Sequence, residues 1–311
     1  MLQIFGGASM DHDLYAYSAL GRRPAAAAAL QPGLAAFAVL FMEHWELNPP
    51  ADALRDPRMV GEFGSFSPDY RSWSQREYGL RVGIFRVIDA LQHAGIRPVI
   101  AANAMALQRL PNLVRIFTEW GCGWIAHGLA ATRMMHARMT LDQQGEHIRA
   151  AIDMLAQHTG RRPLGWLSQD WGTSPQTPHL LAQAGIRFTL DWCNDDQPYW
   201  MQTTPPLLAI PLASEWDDVQ CQWLRNIEPR AHATLAVQAF NRLRAECTAH
   251  QRGAVFGLPL HPWLCGMPSR IAALQSLLRE LAAANDVYWT TPDAIHAIHA
   301  NCTRGTIDDT D

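Results

Sequence analysis

Apolar residues along this chain fall into short unbroken runs that alternate with longer segments of helical periodicity, separated by glycine, proline and polar clusters. Residues 34–42 form the first run, and Pro32-Gly33 in front of it predicts a buried strand. Residues 76–93 place Tyr78, Val82, Phe85, Ile88 and Leu91 at helical spacing, with Gly95 as the stop and a strand at 98–102 behind it. The same beat continues. A helix at 113–120 leads to a strand at 124–126. A long helix from the N-cap Thr140 to His158, ended by Gly160, leads to a strand at 163–167. A helix at 175–184 leads to a strand at 186–190, and a strand at 207–212 follows. A helix at 231–250 precedes a strand at 254–260, and a helix at 269–284 precedes a last strand at 287–290. Strand, loop and helix in strict rotation imply a parallel sheet with helices outside it.

The arrangement divides the chain into an irregular N-terminal arm (1–30), one α/β domain (31–300) and a frayed, Asp- and Thr-rich C-terminal tail (301–311). At 311 residues, 48% of them hydrophobic, the chain can bury the core of one large domain. A net charge of -4 without a basic stripe argues against a nucleic-acid partner. The longest apolar run, residues 34–42, is far short of the ~20 residues of a membrane span, and residues 1–22 lack the pattern of a signal peptide. A soluble cytoplasmic protein acting on a small molecule, alone or as a homo-oligomer, is the expectation. The six cysteines are scattered without a Cys-x-x-Cys pair and read as small buried thiols.

Polar groups recur just after successive strands: Glu43 and His44, His127, Ser168 and Asp170, Asp191 with Asp195 and Asp196, Glu215 with Asp217 and Asp218, and His261. The stretch 191–200 is the densest, with three carboxylates, two amides and two tryptophans. An Asx-rich turn is the structural alternative for it. If the strands close into a barrel, all these loops meet at one mouth, where barrel enzymes keep their active sites. A carboxylate and a histidine around a shared water suit hydrolysis: one takes the water's proton, the other protonates the leaving group. Several of the twelve tryptophans, among them Trp45, Trp124, Trp192 and Trp263, neighbour these groups, as in a pocket with flat apolar walls.

Several segments together resemble one family. They are Asp11-His12-Asp13-Leu14-Tyr15, Glu43-His44, Gln75-Arg76-Glu77-Tyr78-Gly79-Leu80-Arg81-Val82-Gly83 and Ala126-His127-Gly128. Gly160-Arg161-Arg162-Pro163-Leu164-Gly165-Trp166, Thr173-Ser174-Pro175-Gln176-Thr177, Asn194-Asp195-Asp196-Gln197-Pro198-Tyr199-Trp200 and Leu260-His261-Pro262 complete the set. The chain resembles the polysaccharide deacetylase superfamily (the NodB homology fold), and within it the allantoinase-like branch. The resemblance implies a distorted (β/α) barrel in a single domain and hydrolysis of a non-peptide C–N bond. It implies Glu43 as general base and His261 as general acid, and it matches His127 to the first histidine of the metal-binding His-x-x-x-His motif. For an amidohydrolase the expectation is His127 in the oxyanion or water-positioning role, with Asp191 beside them. Expected around the substrate are His44, Trp45, Glu77, Arg81, Trp166, Asp195, Asp196, Trp200, Glu215 and Trp263.

The chain departs from the deacetylase pattern where that pattern holds a metal. His44 replaces the second acidic residue after the first strand, and Ala131 stands where the second histidine of the His-x-x-x-His motif would fall. Gly165-Trp166-Leu167-Ser168 replaces the Arg-Pro-Pro-Tyr loop, and Gln169-Asp170 replaces a glycine-arginine pair of the allantoinase-like branch. A catalytic zinc site needs three protein ligands and an open position, so no cofactor is expected. The alternative is a divalent ion such as zinc on His44 and His127. The expected function is an amidohydrolase of a small cyclic amide, imide or ureide. A metal-dependent deacetylase of an N-acetylated sugar and an inactive ligand-binding barrel are the alternatives.

Overall fold

In the computed structural model, which describes residues 11–23, 33–51, 53 and 68–308, the first apolar run becomes β1 (Gly33–Met42), buried at every position after the first. It can be apolar throughout because both its faces are covered. Ala35, Phe37, Val39 and Phe41 point into the barrel, and Leu34, Ala36, Ala38, Leu40 and Met42 point to the surrounding helices. That alternation is the two-residue period of a strand.

Around β1 the chain builds β2 (Val99–Ala102), β3 (Gly123–Ala126), β4 (Gly165–Trp166), β5 (Phe188–Thr189), β6 (Tyr199–Met201), β7 (Leu207–Ala209), β8 (Gly253–Leu260) and β9 (Val287–Trp289). The sheet order is β6-β7-β5-β4-β3-β2-β1-β8, with β9 beside the first half of β1. Every pair is parallel except β6 and β7. The sheet curls into an incomplete barrel, and its two outer edges are joined by loops. Val255 N–H of β8 donates to the Asp196 carbonyl, the Gln197 side chain donates to the Gly253 carbonyl, and Trp216 Nε1–H donates to the Gly257 carbonyl. An open strand edge needs such partners.

The helices follow the predicted rotation, with instructive differences. The region 76–93 is α1 (Tyr70–Tyr78), a π-helical turn at Gly79–Gly83, and α2 (Ile84–His93). The wider turn shifts the helical phase, so Val82 and Phe85, expected to face the core, are exposed, as is Arg81. The same turn lies against the short helix at Pro262–Cys265, where a Cβ on Gly79 would sit 2.6 Å from the Trp263 nitrogen. Among the short elements that went unforeseen are a helix at Ala104–Arg109, the helix at Pro262–Cys265 and β6. The strands expected at 163–167, 186–190 and 207–212 pair over shorter spans. Thr140 does cap the helix Leu141–Thr159, in a capping box with Gln143.

The first and last described segments join the barrel. Of the expected arm, residues 11–23 are described; Leu14 is buried in the outer core, and the Leu14 carbonyl accepts from Gln202 N. The last helix runs from Pro292 to Asp308, past residue 300, where a frayed tail was expected to begin. Its Ile295 enters the cluster inside the barrel, with Ile298 packed beside it, so this segment supplies apolar surface to the core. Among the described residues no helix is long and apolar enough to cross a membrane.

Candidate active site

Glu43, His127 and His261 each follow the last residue of a parallel strand, β1, β3 and β8 respectively. Parallel strands deliver such residues to the same end of the barrel. Phe41, on the inner face of β1, organises the two histidines. Its ring stacks on His261 at 3.9 Å and meets His127 edge-on at 5.1 Å.

His127 Nδ1–H donates to the Leu167 carbonyl at 2.6 Å, which turns Nε2 toward Glu43 Oε1, 3.5 Å away. Gln169 Nε2 donates to the same Oε1 at 2.5 Å. Burial alone would push the Glu43 carboxyl up. The His127 imidazole, the charge on His261 and the Gln169 amide together outweigh it and bring the group to about 2. Glu43 is therefore an anion at neutral pH despite being 7% exposed.

His261 is the complementary case. Asp218, with no exposed surface, takes two of its N–H groups: Oδ2 accepts from the backbone nitrogen at 2.9 Å and Oδ1 from Nδ1 at 2.6 Å. Asp217 is equally buried, 3.8 Å from Nδ1. Burial lowers the imidazole's proton affinity, but the two carboxylates more than reverse this and raise it to about 9. Burial first, and Asp218 as a like charge, raise Asp217 to about 7 against the pull of His261. His261 is thus an imidazolium with Nδ1 committed to Asp218, leaving Nε2–H to donate.

Glu43, Gln169, Asp217 and His261 border a cavity of about 280 Å³. Its walls include Phe41, Trp45, Trp73, Trp171, Trp263 and Leu167, with Glu43, Gln169, Asp217, His261 and Arg76 as polar members. Arg76, only 5% exposed, lies 3.3 Å from the Trp263 ring centre, with Trp45 and Trp223 at 4.9 and 5.2 Å. Burial depresses its guanidinium, opposed by the Glu43 charge, to about 10, so it remains a cation. The loop after β4 is strained at the cavity: Asp170 and Trp171 hold φ of 48° and 51° without being glycine. Such residues cost about 1–3 kcal/mol each and cluster at functional sites.

No family model matches the chain. A Schizosaccharomyces pombe protein with the provisional name polysaccharide deacetylase is 24% identical over 240 residues, 70% of this chain and 73% of that protein. The solved structure of PuuE allantoinase superposes with a TM-score of 0.78 at 26% identity, covering 94% of this chain and 98% of that one. A Pseudomonas aeruginosa structure, provisionally named a polysaccharide deacetylase, gives a TM-score of 0.76 at 24% identity over 89% of this chain and 95% of that one. The chain shares its fold with polysaccharide deacetylase-type structures, and its sequence is similar to theirs at 24–26% identity.

The distribution of the remaining expected residues is uneven. Trp45 and Trp263 line the cavity. Asp191 does not; its carboxylate accepts from Ser168 N at 2.6 Å and Ser168 Oγ at 2.9 Å and so braces the loop after β4. Trp166 is fully buried core, its Nε1–H on Ser168 Oγ. His44 is buried off the cavity, held through its backbone by Asn103 and Ala131. Arg81 is exposed, and Glu77, one turn ahead of it, also lies off the cavity. Asp195 forms a two-pronged ion pair with Arg23, and Asp196 lies at the joint between barrel edges. Trp200 packs beside His296 at 6.0 Å, and Glu215 pairs with Arg225 at the surface. Sequence reasoning did not assign Asp218, Gln169 or Asn103. An acidic pair before a strand whose end carries a histidine was the one signal available for Asp218.

The two histidines expected to hold a metal in the alternative reading do not share the cavity. His127 donates Nδ1–H to a carbonyl and faces Glu43 with Nε2, whereas His44 lies off the cavity. Among the described residues, Asp217, Asp218 and His261 are the group whose ligand atoms lie within 4.8 Å of one another. There Nδ1 and Asp218 Oδ1 lie 2.6 Å apart, a hydrogen bond that a metal on these atoms would replace.

Proposed function

We propose that this chain is a cytoplasmic amidohydrolase of the allantoinase-like branch, opening a small cyclic amide, imide or ureide at a non-peptide C–N bond. The observation that carries the reading is one carboxylate held ionised and one imidazole held charged on the same small cavity. Their environments push the two groups apart, which is how acid and base are assigned.

A water between substrate and Glu43 attacks the ring carbonyl, and Glu43 takes its proton as the C–O bond forms. His261 Nε2–H then protonates the ring nitrogen as the C–N bond breaks, giving a ring-opened acid that loses its own proton to solvent, and passage of the Glu43 proton to His261 through solvent restores the pair. Glu43 at about 2 is a weak base, so it acts on a water already acidified by its attack. Arg76 and the His261 charge are the cations near the developing oxyanion. His127, off the cavity wall, holds Glu43 rather than touching substrate. The aromatic walls suit a flat ring, and the similarity to PuuE allantoinase over nearly the whole chain supports the branch.

The second reading, a metal-dependent deacetylase of an N-acetylated sugar, is favoured by the names of the other two relatives. The test is a screen of hydantoins, imides, ureides and N-acetylated sugars, repeated after dialysis against EDTA with metal content measured. The amidohydrolase reading expects ring opening whose kcat/KM survives chelation. Deacetylation that is lost on chelation and restored by zinc replaces it with the second reading.

A further inference from the structure

The loop after β4 reaches across to the catalytic carboxylate. Gln169 Nε2 donates to Glu43 Oε1 at 2.5 Å, and His127 Nε2 faces the same oxygen. Oε2 accepts no hydrogen bond among the described residues. One oxygen of Glu43 is held and the other is left for chemistry. We propose that Gln169 is the positioning residue for Glu43: by occupying Oε1 it fixes the plane of the carboxylate and dedicates Oε2 to the attacking water. The inference rests on Glu43 as the base.

Gln169 is aimed by its neighbours on both sides. Asp191 anchors Ser168 by backbone and hydroxyl, and Trp166 Nε1–H bonds the same hydroxyl. The next two residues turn through left-handed conformations. Gly172 then passes where a Cβ would lie 2.9 Å from the Met135 carbonyl oxygen. From behind, Asn103 Nδ2 donates to the Gln169 amide oxygen at 3.4 Å and also to the His127 carbonyl. All four partners, Glu43, Asn103, His127 and Gln169, are buried. Asp191 therefore acts on the base through Ser168 and Gln169, without touching substrate. The amide is neutral, so it orients Glu43 without adding charge. The charged and titratable groups facing Glu43 are His127 from β3, His261 backed by Asp217 and Asp218, and Arg76 from α1.

Gln169→Glu keeps the side-chain length and sets a second carboxylate against Oε1. In protein labelled with ¹³C-glutamate, with Glu43→Gln as the assignment control, the wild-type Glu43 carboxylate is expected to stay ionised down to about pH 4. In Gln169→Glu it is expected to titrate above that pH. On any compound the enzyme opens, kcat should fall about 10- to 100-fold in Gln169→Ala and Gln169→Glu with KM little changed. Asp191→Asn combined with Gln169→Ala should cost no more than the larger single loss. An unchanged Glu43 titration in Gln169→Glu, or a raised KM at constant kcat, overturns the proposal. If no compound is hydrolysed, the base assignment fails, and the carboxylate titration still decides whether Gln169 holds Glu43.

Discussion

Two acidic clusters sit at strand ends in this molecule, and they have opposite fates. One comprises Glu43 after β1 with Asp217 and Asp218 behind His261; the other is Asp195 and Asp196 in the segment that follows β5. Both are short of solvent. The difference lies in the partner. Asp195 meets a guanidinium through two contacts, at 2.8 and 2.5 Å, which consumes both oxygens. Glu43 and Asp218 meet imidazoles, whose charge can move with a proton. A carboxylate clamped by arginine is a fastener; a carboxylate against histidine can take part in acid–base chemistry. Carboxylate density in the sequence therefore marked the barrel's closure as strongly as its mouth.

The largest effect expected to sharpen this contrast is at Glu43. Glu43→Gln keeps the shape and removes the base, and kcat should fall about 10²–10⁴-fold with the thermal unfolding curve intact. A variant that retains near wild-type turnover erases the distinction between the clusters.

Next is Asp218→Asn. Activity requires His261 protonated, so the wild-type rate should decline as pH rises through about 9. Removing Asp218 removes what holds the proton there; the alkaline limb should move to lower pH and kcat fall about 10- to 100-fold. The stability linkage has the same sign. The folded value lies above the ordinary 6.5, so this contribution is whole below 6.5 and is lost as pH rises through about 9. An alkaline limb that stays in place in the variant removes Asp218 from the acid's machinery.

The smallest effect is expected at the closure. Arg23→Ala frees Asp195 in a partly exposed pair, which should cost about 1 kcal/mol and lower Tm by about 2 °C. kcat/KM should stay within about twofold of wild type. A large loss of kcat/KM in a folded Arg23→Ala variant would return the segment after β5 to the active site.

Much of this was legible from residue order. The run 34–42 read as a buried strand, and the positions of Glu43, His127 and His261 at strand ends followed from where apolar runs stop. Helix signals at Thr140 and Gly160 were local and held, because caps are satisfied within a few residues of chain. The π turn at Gly79–Gly83 escaped the helical period, since it answers to the close approach of Trp263 from far along the chain. Arg76 rather than Arg81 reached the cavity for the same reason.

The sequence by itself determined the strand–helix rotation, the apolar core and the three strand-end residues, because each depends on local spacing and on which side chains avoid water. Tertiary structure decided the partners. Asp218 behind His261, Gln169 on Glu43 and Arg23 on Asp195 join residues 43, 126 and 172 positions apart. Whether a buried carboxylate is silenced, ionised or made to hold a neighbour's proton depends on the charges that folding brings within a few ångströms, and those separations are not written in any local pattern.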